Sequence, residues 1–219
     1  MKKLVIFGAR NFAEIAHYYF THDSDYAVSA FCVDGEHLSE PNFKGTPIVP
    51  FEEITKSHPP ADYDMFVAIG IHRVNKSRAE AVDRAQCRGY RLASFLSSRA
   101  DVASDLVLEP NCMVMERAGI QPFVRIGRNS IIWSASRIGF HTQVGEHCWI
   151  VSALFGESCV VGDYSFIGLG ATIAPTVRVG SANIIGAGAL ITGDTKDREV
   201  YRAKGDEPAR ATSDQVWGD

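Results

Sequence analysis

Every sixth residue from Val102 is aliphatic: Val102, Leu108, Val114, Ile120, Ile126, Ile132, Ile138, Val144 and Ile150. The series slips by one residue around Leu154-Phe155-Gly156 and resumes at Val161, Ile167, Ile173, Val179, Ile185 and Ile191. A period of six fits neither the 3.6 residues of an α-helix turn nor the two-residue alternation of a strand. It fits a short strand plus a turn, repeated, with the aliphatic side chain pointing into a narrow core. The residue after the aliphatic is often glycine (Gly127, Gly139, Gly145, Gly162, Gly168, Gly180, Gly186), read here as permitting the turn. Four residues after the aliphatic comes a small or modest side chain, such as Ser130, Ser136, Thr142, Cys148, Ser165 or Ala171, suited to a corner.

The first hundred residues carry a different pattern. Lys3-Leu4-Val5-Ile6-Phe7 reads as a buried strand, and Phe12 to Phe20 as an apolar-faced helix. Tyr26 to Val33 and Asp64 to Ile69 read as further strands. A helix from about Asn75 to Gly89 follows, with Arg78, Glu80, Asp83 and Arg84 assigned to its wet face. Strand, helix, strand, helix predicts a parallel α/β sheet, Rossmann-like in kind. The expected organisation is an α/β domain over 1–98, a repeat domain over 99–195 and a tail over 196–219.

Composition narrows the classes. The net charge of -4 gives no general reason to bind nucleic acid, and no apolar run approaches the ~20 residues of a membrane helix. Gly8 to Asn11 interrupts the N-terminal apolar run too early for a secretory leader, so a cytoplasmic location is expected. Five scattered cysteines without a C-x-x-C pair argue against a disulfide framework and a structural zinc site, and read as small buried apolar residues.

In open parallel sheets, small ligands sit at the C-terminal strand ends. Those ends carry Gly8-Ala9-Arg10, Asp34 and Gly70 to Arg73. Gly8 would let a phosphate approach the backbone, the following helix N-terminus favours an anion, and Asp34 can accept hydrogen bonds from a ribose or a base. The glycine fingerprint of dinucleotide sites is incomplete, so a nucleotide-containing ligand and a purely structural turn both stand.

The six-residue repeat resembles that of the hexapeptide-repeat acyltransferases, in which three hexapeptides make one triangular coil of a left-handed parallel β-helix. The order Leu4 to Gly8, Phe31 to Asp34, Gly45 to Val49, Val67 to Gly70 and then the repeat is similar to one subgroup, the sialic-acid O-acetyltransferase and bacterial sugar acetyltransferase group. The resemblance implies a homotrimer, an α/β domain that binds a nucleotide-sugar or glycan acceptor through Gly8, Ala9, Arg10, Asp34, Gly70 and Arg73, and a β-helix that binds acetyl-CoA. It implies a donor groove at Gly156, Gly168, Leu169, Gly186 and Ala187, with Lys204 among the cations for the CoA phosphate, and no metal. Phe123, Trp133, Phe140 and Trp149 stand away from the inward position and are candidates for a subunit interface.

Acetyl transfer needs a base that titrates near neutrality and a donor for the oxyanion. The repeat holds two histidines, His141 and His147. In the subgroup the base sits in Ile-x-His followed by an acid. Here Ile138-Gly139-Phe140-His141 puts Phe140 in the histidine slot and His141 in that of the acid. Three readings stay open: an amino-sugar acetyltransferase using His141 or His147, an O-acetyltransferase acting on a glycan hydroxyl, and a binding protein that keeps the scaffold without turnover. A zinc hydratase on the same scaffold would need a third histidine.

Overall fold

The structure is a computed structural model and describes residues 1–203; Lys204 and the tail beyond it lie outside the described residues. The N-terminal half is a five-stranded sheet: β1 (Lys2–Phe7), β2 (Tyr26–Val33), β3 (Asn42–Phe43), β4 (Thr46–Pro50) and β5 (Tyr63–Val67), in the order β3-β4-β2-β1-β5. The β1, β2, β4 and β5 strands are parallel, and only β3 runs against its neighbour. Alternation along β1 divides its side chains. Leu4 and Ile6 meet α1 (Asn11–His22) through Phe12, Ala16 and Phe20, while Val5 and Phe7 meet α2 (Ile54–Ser57) and α3 (Lys76–Cys87) through Ile54, Ala81, Val82 and Ala85.

After α3 the chain returns beside β5, where Met65 N–H donates to Arg91 O and Ala93 N–H to Met65 O. It passes without a linker into the first strand of the second half, Phe95–Leu96. From there two-residue strands stack into three parallel sheets, with further strands up to Val200–Tyr201, a span wider than 99–195. Partners are 18 residues apart, as Met113 with Ile131 and Ile131 with Trp149. Two coils are shorter: Trp149 pairs with Phe166, 17 residues on, and Ile184 pairs with Val200, 16 residues on. The residue missing from the first of these is lost at the Val151-Ser152-Ala153 corner, so Phe155 replaces an aliphatic as the inward residue of that strand. Leu108 packs against the core, but its segment forms no strand.

The corners work differently from the expectation. The glycine after the aliphatic does not supply the left-handed backbone. A Cβ on Gly139 would stand 2.5 Å from Gly156 O, and one on Gly127 2.7 Å from Gly145 C, so these glycines admit the next coil. The left-handed residue lies two positions later and is mostly not glycine: Arg117, Phe123, Asn129, Ala135, His141, His147 and Tyr164 all have positive φ. The following small residue is buried, as in Ser130, Ser136, Thr142 and Cys148.

The two halves share one apolar core. Leu4, Phe12, Phe20 and Phe66 cluster with the outward-facing Met113, Ile131 and Trp149 of the β-helix. Trp149 lies edge-on to Phe12 at 4.7 Å, and Trp133 is 6.2 Å from it. These two tryptophans therefore serve a contact within the chain, whereas Phe123 and Phe140 stay exposed. Cys32, Cys112, Cys148 and Cys159 are buried as expected, but Cys87 is exposed. No helix among the described residues is long and apolar enough to cross a membrane.

Candidate active site

His141 lies on the corner between the sheet holding Arg137–Ile138 and the sheet holding Gln143–Val144. Its backbone is left-handed at φ 61°, and its N–H donates to Pro122 O on the preceding coil. The imidazole is exposed and stacks on Phe123, with ring centres 4.7 Å apart and planes 19° apart. Phe140 is 45% exposed beside it, its N–H donating to Gln121 Oε1. Gly156 is on the same corner one coil further, directly beneath Gly139. Its N–H donates to Ile173 O, so it is already spent and cannot serve an oxyanion. Among the described residues no carboxylate lies within ion-pairing distance of His141. Of the acids near it in sequence, Glu146 is held by Arg128 at 2.8 Å, and Asp163 accepts from Glu146 N–H.

Gly168, Leu169, Gly186 and Ala187 lie on a different corner, across the face formed by Leu154–Phe155, Thr172–Ile173 and Leu190–Ile191. Leu169 and Ala187 are exposed there, while Gly168 and Gly186 direct their N–H groups to Ile185 O and Tyr201 O. Leu154 and Leu190 make the intervening face apolar and exposed.

His147 has the same backbone as His141, at φ 59°, but is buried. It stacks on Tyr164 at 4.6 Å, and Asn129 Nδ2 lies 2.8 Å from its Nδ1. Burial comes first among the causes that hold its pKa below the ordinary imidazole value, followed by the Arg128 charge. A ring so enclosed offers no edge to a substrate.

Arg78 makes this enclosure. It sits on α3 in line with Ala81, Val82 and Ala85, and is fully buried rather than on the wet face. Its guanidinium donates to Asn129 Oδ1 and to the carbonyls of Asn129, His147 and Cys148, and stands 5.1 Å from the Trp149 ring. Desolvation lowers its pKa to about 9. The helical spacing of 78, 81, 82 and 85 was the signal for this burial.

The C-terminal ends of β1, β2 and β5 do bring Gly8, Asp34 and Gly70 to one edge of the sheet. Gly8 has a packing reason of its own, since a Cβ there would stand 2.7 Å from Ala68 O. Ala9 and Arg10 lead into α1, with Arg10 exposed. Asp34 is tied to Arg84, whose hydrogen bonds hold its carboxyl below the usual range. Arg73 donates to Glu80 at 2.8 Å in a left-handed stretch, Arg73-Val74-Asn75. Gly70 faces open space. A cavity of about 490 Å³ opens between α1 and the β-helix, lined by Asn11, Glu14, Tyr18, Tyr19, Trp133 and Ser134 among others.

No protein-family model matches the chain. A curated relative, the bifunctional protein GlmU of Aromatoleum aromaticum, is 32% identical over 93 residues, 40% of this chain; the chain spans about 20% of that relative's length. Solved structures match almost throughout. A histidine-to-asparagine variant of perosamine N-acetyltransferase from Caulobacter crescentus, in complex with CoA and GDP-perosamine, superposes with a TM-score of 0.80 at 23% identity, covering 94% of this chain and 98% of the other. The acetyltransferase domain of PglB from Neisseria gonorrhoeae matches with a TM-score of 0.74 at 20% identity, covering 91% and 96%. The chain has the fold of these two acetyltransferase structures, α/β half and parallel β-helix together.

Proposed function

We propose that the protein is an acetyl-CoA-dependent acetyltransferase acting on the amine of a nucleotide-linked sugar. The supporting observation is the joining in one chain of a ligand-ready sheet edge and a parallel β-helix whose corner exposes His141. The structure with this layout over 94% of the chain holds CoA and GDP-perosamine. The nucleotide would rest along Gly8, Ala9, Arg10, Asp34, Gly70 and Arg73, and the cavity beside Asn11 and Glu14 would seat the sugar. His141 would take the proton from the attacking amine as it adds to the thioester carbonyl, and collapse of the tetrahedral oxyanion would release CoA thiolate. With no carboxylate within ion-pairing distance among the described residues, its ring would be aligned by the Phe123 stack. The exposed apolar face with Leu154 and Leu190, with Phe140 at its corner, suits a homotrimer that would close the CoA groove at Gly156, Gly168, Leu169, Gly186 and Ala187. The reading includes a cytoplasmic enzyme of surface-glycan synthesis.

The test is thiol release from acetyl-CoA with a panel of nucleotide-linked amino sugars and their hydroxyl counterparts. Turnover with an amino sugar that is lost in His141→Ala supports the assignment. Turnover only on hydroxyl acceptors moves it to O-acetylation. Phe140 in the usual histidine slot favours one alternative, a sugar- or CoA-binding protein without turnover, which tight acetyl-CoA binding with no thiol release would establish.

A further inference from the structure

The seam between the halves carries a chain of hydrogen bonds that fixes the tautomer of a buried histidine. It begins at Val67, whose N–H donates to Asn111 Oδ1 at 2.7 Å and whose carbonyl accepts from Asn111 Nδ2 at 3.1 Å. Backbone groups cannot exchange roles, so the orientation of Asn111 is set. Asn111 Nδ2 also donates to Asn129 Oδ1 at 2.8 Å, and Arg78 Nε donates to the same oxygen at 3.0 Å. An arginine can only donate, so Asn129 must present Nδ2 to His147 Nδ1. That nitrogen must therefore carry a lone pair, and the proton of the neutral ring sits on Nε2. Arg78 meanwhile spans the seam: Nη1 reaches Gly70 O at 3.4 Å and Asn75 Oδ1 at 3.0 Å, and Nη2 reaches His147 O at 3.1 Å. Asn75 Nδ2 adds a bond to Tyr164 O.

We infer that this seam is a proton-operated latch: proton uptake at His147 Nδ1 breaks its bond with Asn129 and sets a second positive charge beside Arg78, loosening the contact that ties the Gly70 end of the sheet edge to the β-helix. An imidazolium would set N–H against N–H. Asn129 cannot turn over to accept, because its amide would then confront Arg78 Nε and Asn111 Nδ2. The charged groups around the ring are Arg78 and Asp83 of α3, Arg128 of the preceding coil and Glu146 beside it, with the Tyr164 ring stacked below. Glu146 Oε2, 3.5 Å from Nε2, favours the cation, but it is shared with Arg128. Burial and the two arginines outweigh it. The folded ring thus binds a proton less readily than an unfolded one. The latch is intact above the ordinary histidine pKa of about 6.5 and weakens as pH falls below it, by up to about tenfold per pH unit. The inference stands apart from the acetyltransferase reading, since neither CoA nor sugar enters its test.

That test is nitrogen NMR of the His147 ring, together with amide exchange at Val67, on the whole protein from about pH 7.5 to about pH 5.5. At neutral pH the ring should show a bare Nδ1. The protection of Val67, corrected for intrinsic exchange, should fall steeply with acid in the wild type. His147→Gln, whose amide oxygen can accept from Asn129, should flatten that slope. Asn129→Asp, which offers an imidazolium an acceptor, should reverse it. A protonated Nδ1 at neutral pH, constant Val67 protection in the wild type, or an unchanged slope in His147→Gln would overturn the latch. If neither variant folds, the two wild-type measurements decide it alone.

Discussion

His141 and His147 occupy the same place in successive hexads, with φ of 61° and 59°. Each stacks on an aromatic ring, Phe123 in one case and Tyr164 in the other. Yet one imidazole meets solvent and the other is sealed under α3. The repeat gives both the same backbone. Whether the neighbouring half covers the corner decides which side chain is free for chemistry and which is structural.

The sharpest way to break that contrast is activity. His141→Ala should cut thiol release by about 10² to 10⁴-fold, the range for losing a general base. Steady-state kinetics on folded variant would check it, and near-normal turnover would remove His141 from the mechanism. Next comes stability. His147→Gly should cost about 2–4 kcal/mol, because it opens a cavity and strips Asn129 of its acceptor. His141→Gly should be neutral or stabilise by up to about 1 kcal/mol, since the left-handed backbone no longer strains a Cβ. Urea unfolding of the pair reads the difference, and equal losses would mean the corners are energetically alike. Gly139→Ala should cost about 1–3 kcal/mol by forcing the coils apart, while Gly70→Ala, in open space, should stay within about 0.5 kcal/mol. Thermal melts check both. The smallest effect is Phe123→Ala. Losing the stack should lower kcat roughly twofold to fivefold with an unchanged KM for acetyl-CoA.

The sequence revealed the repeat because its inward position is aliphatic in nearly every hexad, Phe155 being the aromatic exception. Val114, Ile120, Ile126 and Ile132 must all fit a core a few ångströms wide, so the period is written in residue type. The one-residue slip was equally visible. The purpose of the repeat's glycines was not, because closeness to the next coil is a property of two segments 15 to 19 residues apart. Trp133 and Trp149 read as candidates for a subunit interface for the same reason: what covers them is α1, more than a hundred residues earlier. Arg78 was misplaced because its charge was weighed above its helical spacing. A charged residue aligned with Ala81, Val82 and Ala85 was the available clue. The asparagines at 111 and 129, followed by His147 at the same interval, were a second clue to a polar ladder on one corner. The sheet edge was legible as a place, but the tie between Asp34 and Arg84 depends on a fold-back of 50 residues that no local pattern announces.

The shared core has a consequence in time. Synthesis delivers β1 to β5 and α1 first, but the face of Leu4, Phe12 and Phe20 is not covered until Trp149 and Phe166 have been made. Roughly a hundred residues separate the end of the sheet at Val67 from Phe166. At about 5–20 residues per second, the nascent chain carries an uncovered apolar face for several seconds. Slowing translation across the early coils should therefore lower the yield of soluble protein more than slowing it after Phe166, when the face is closed.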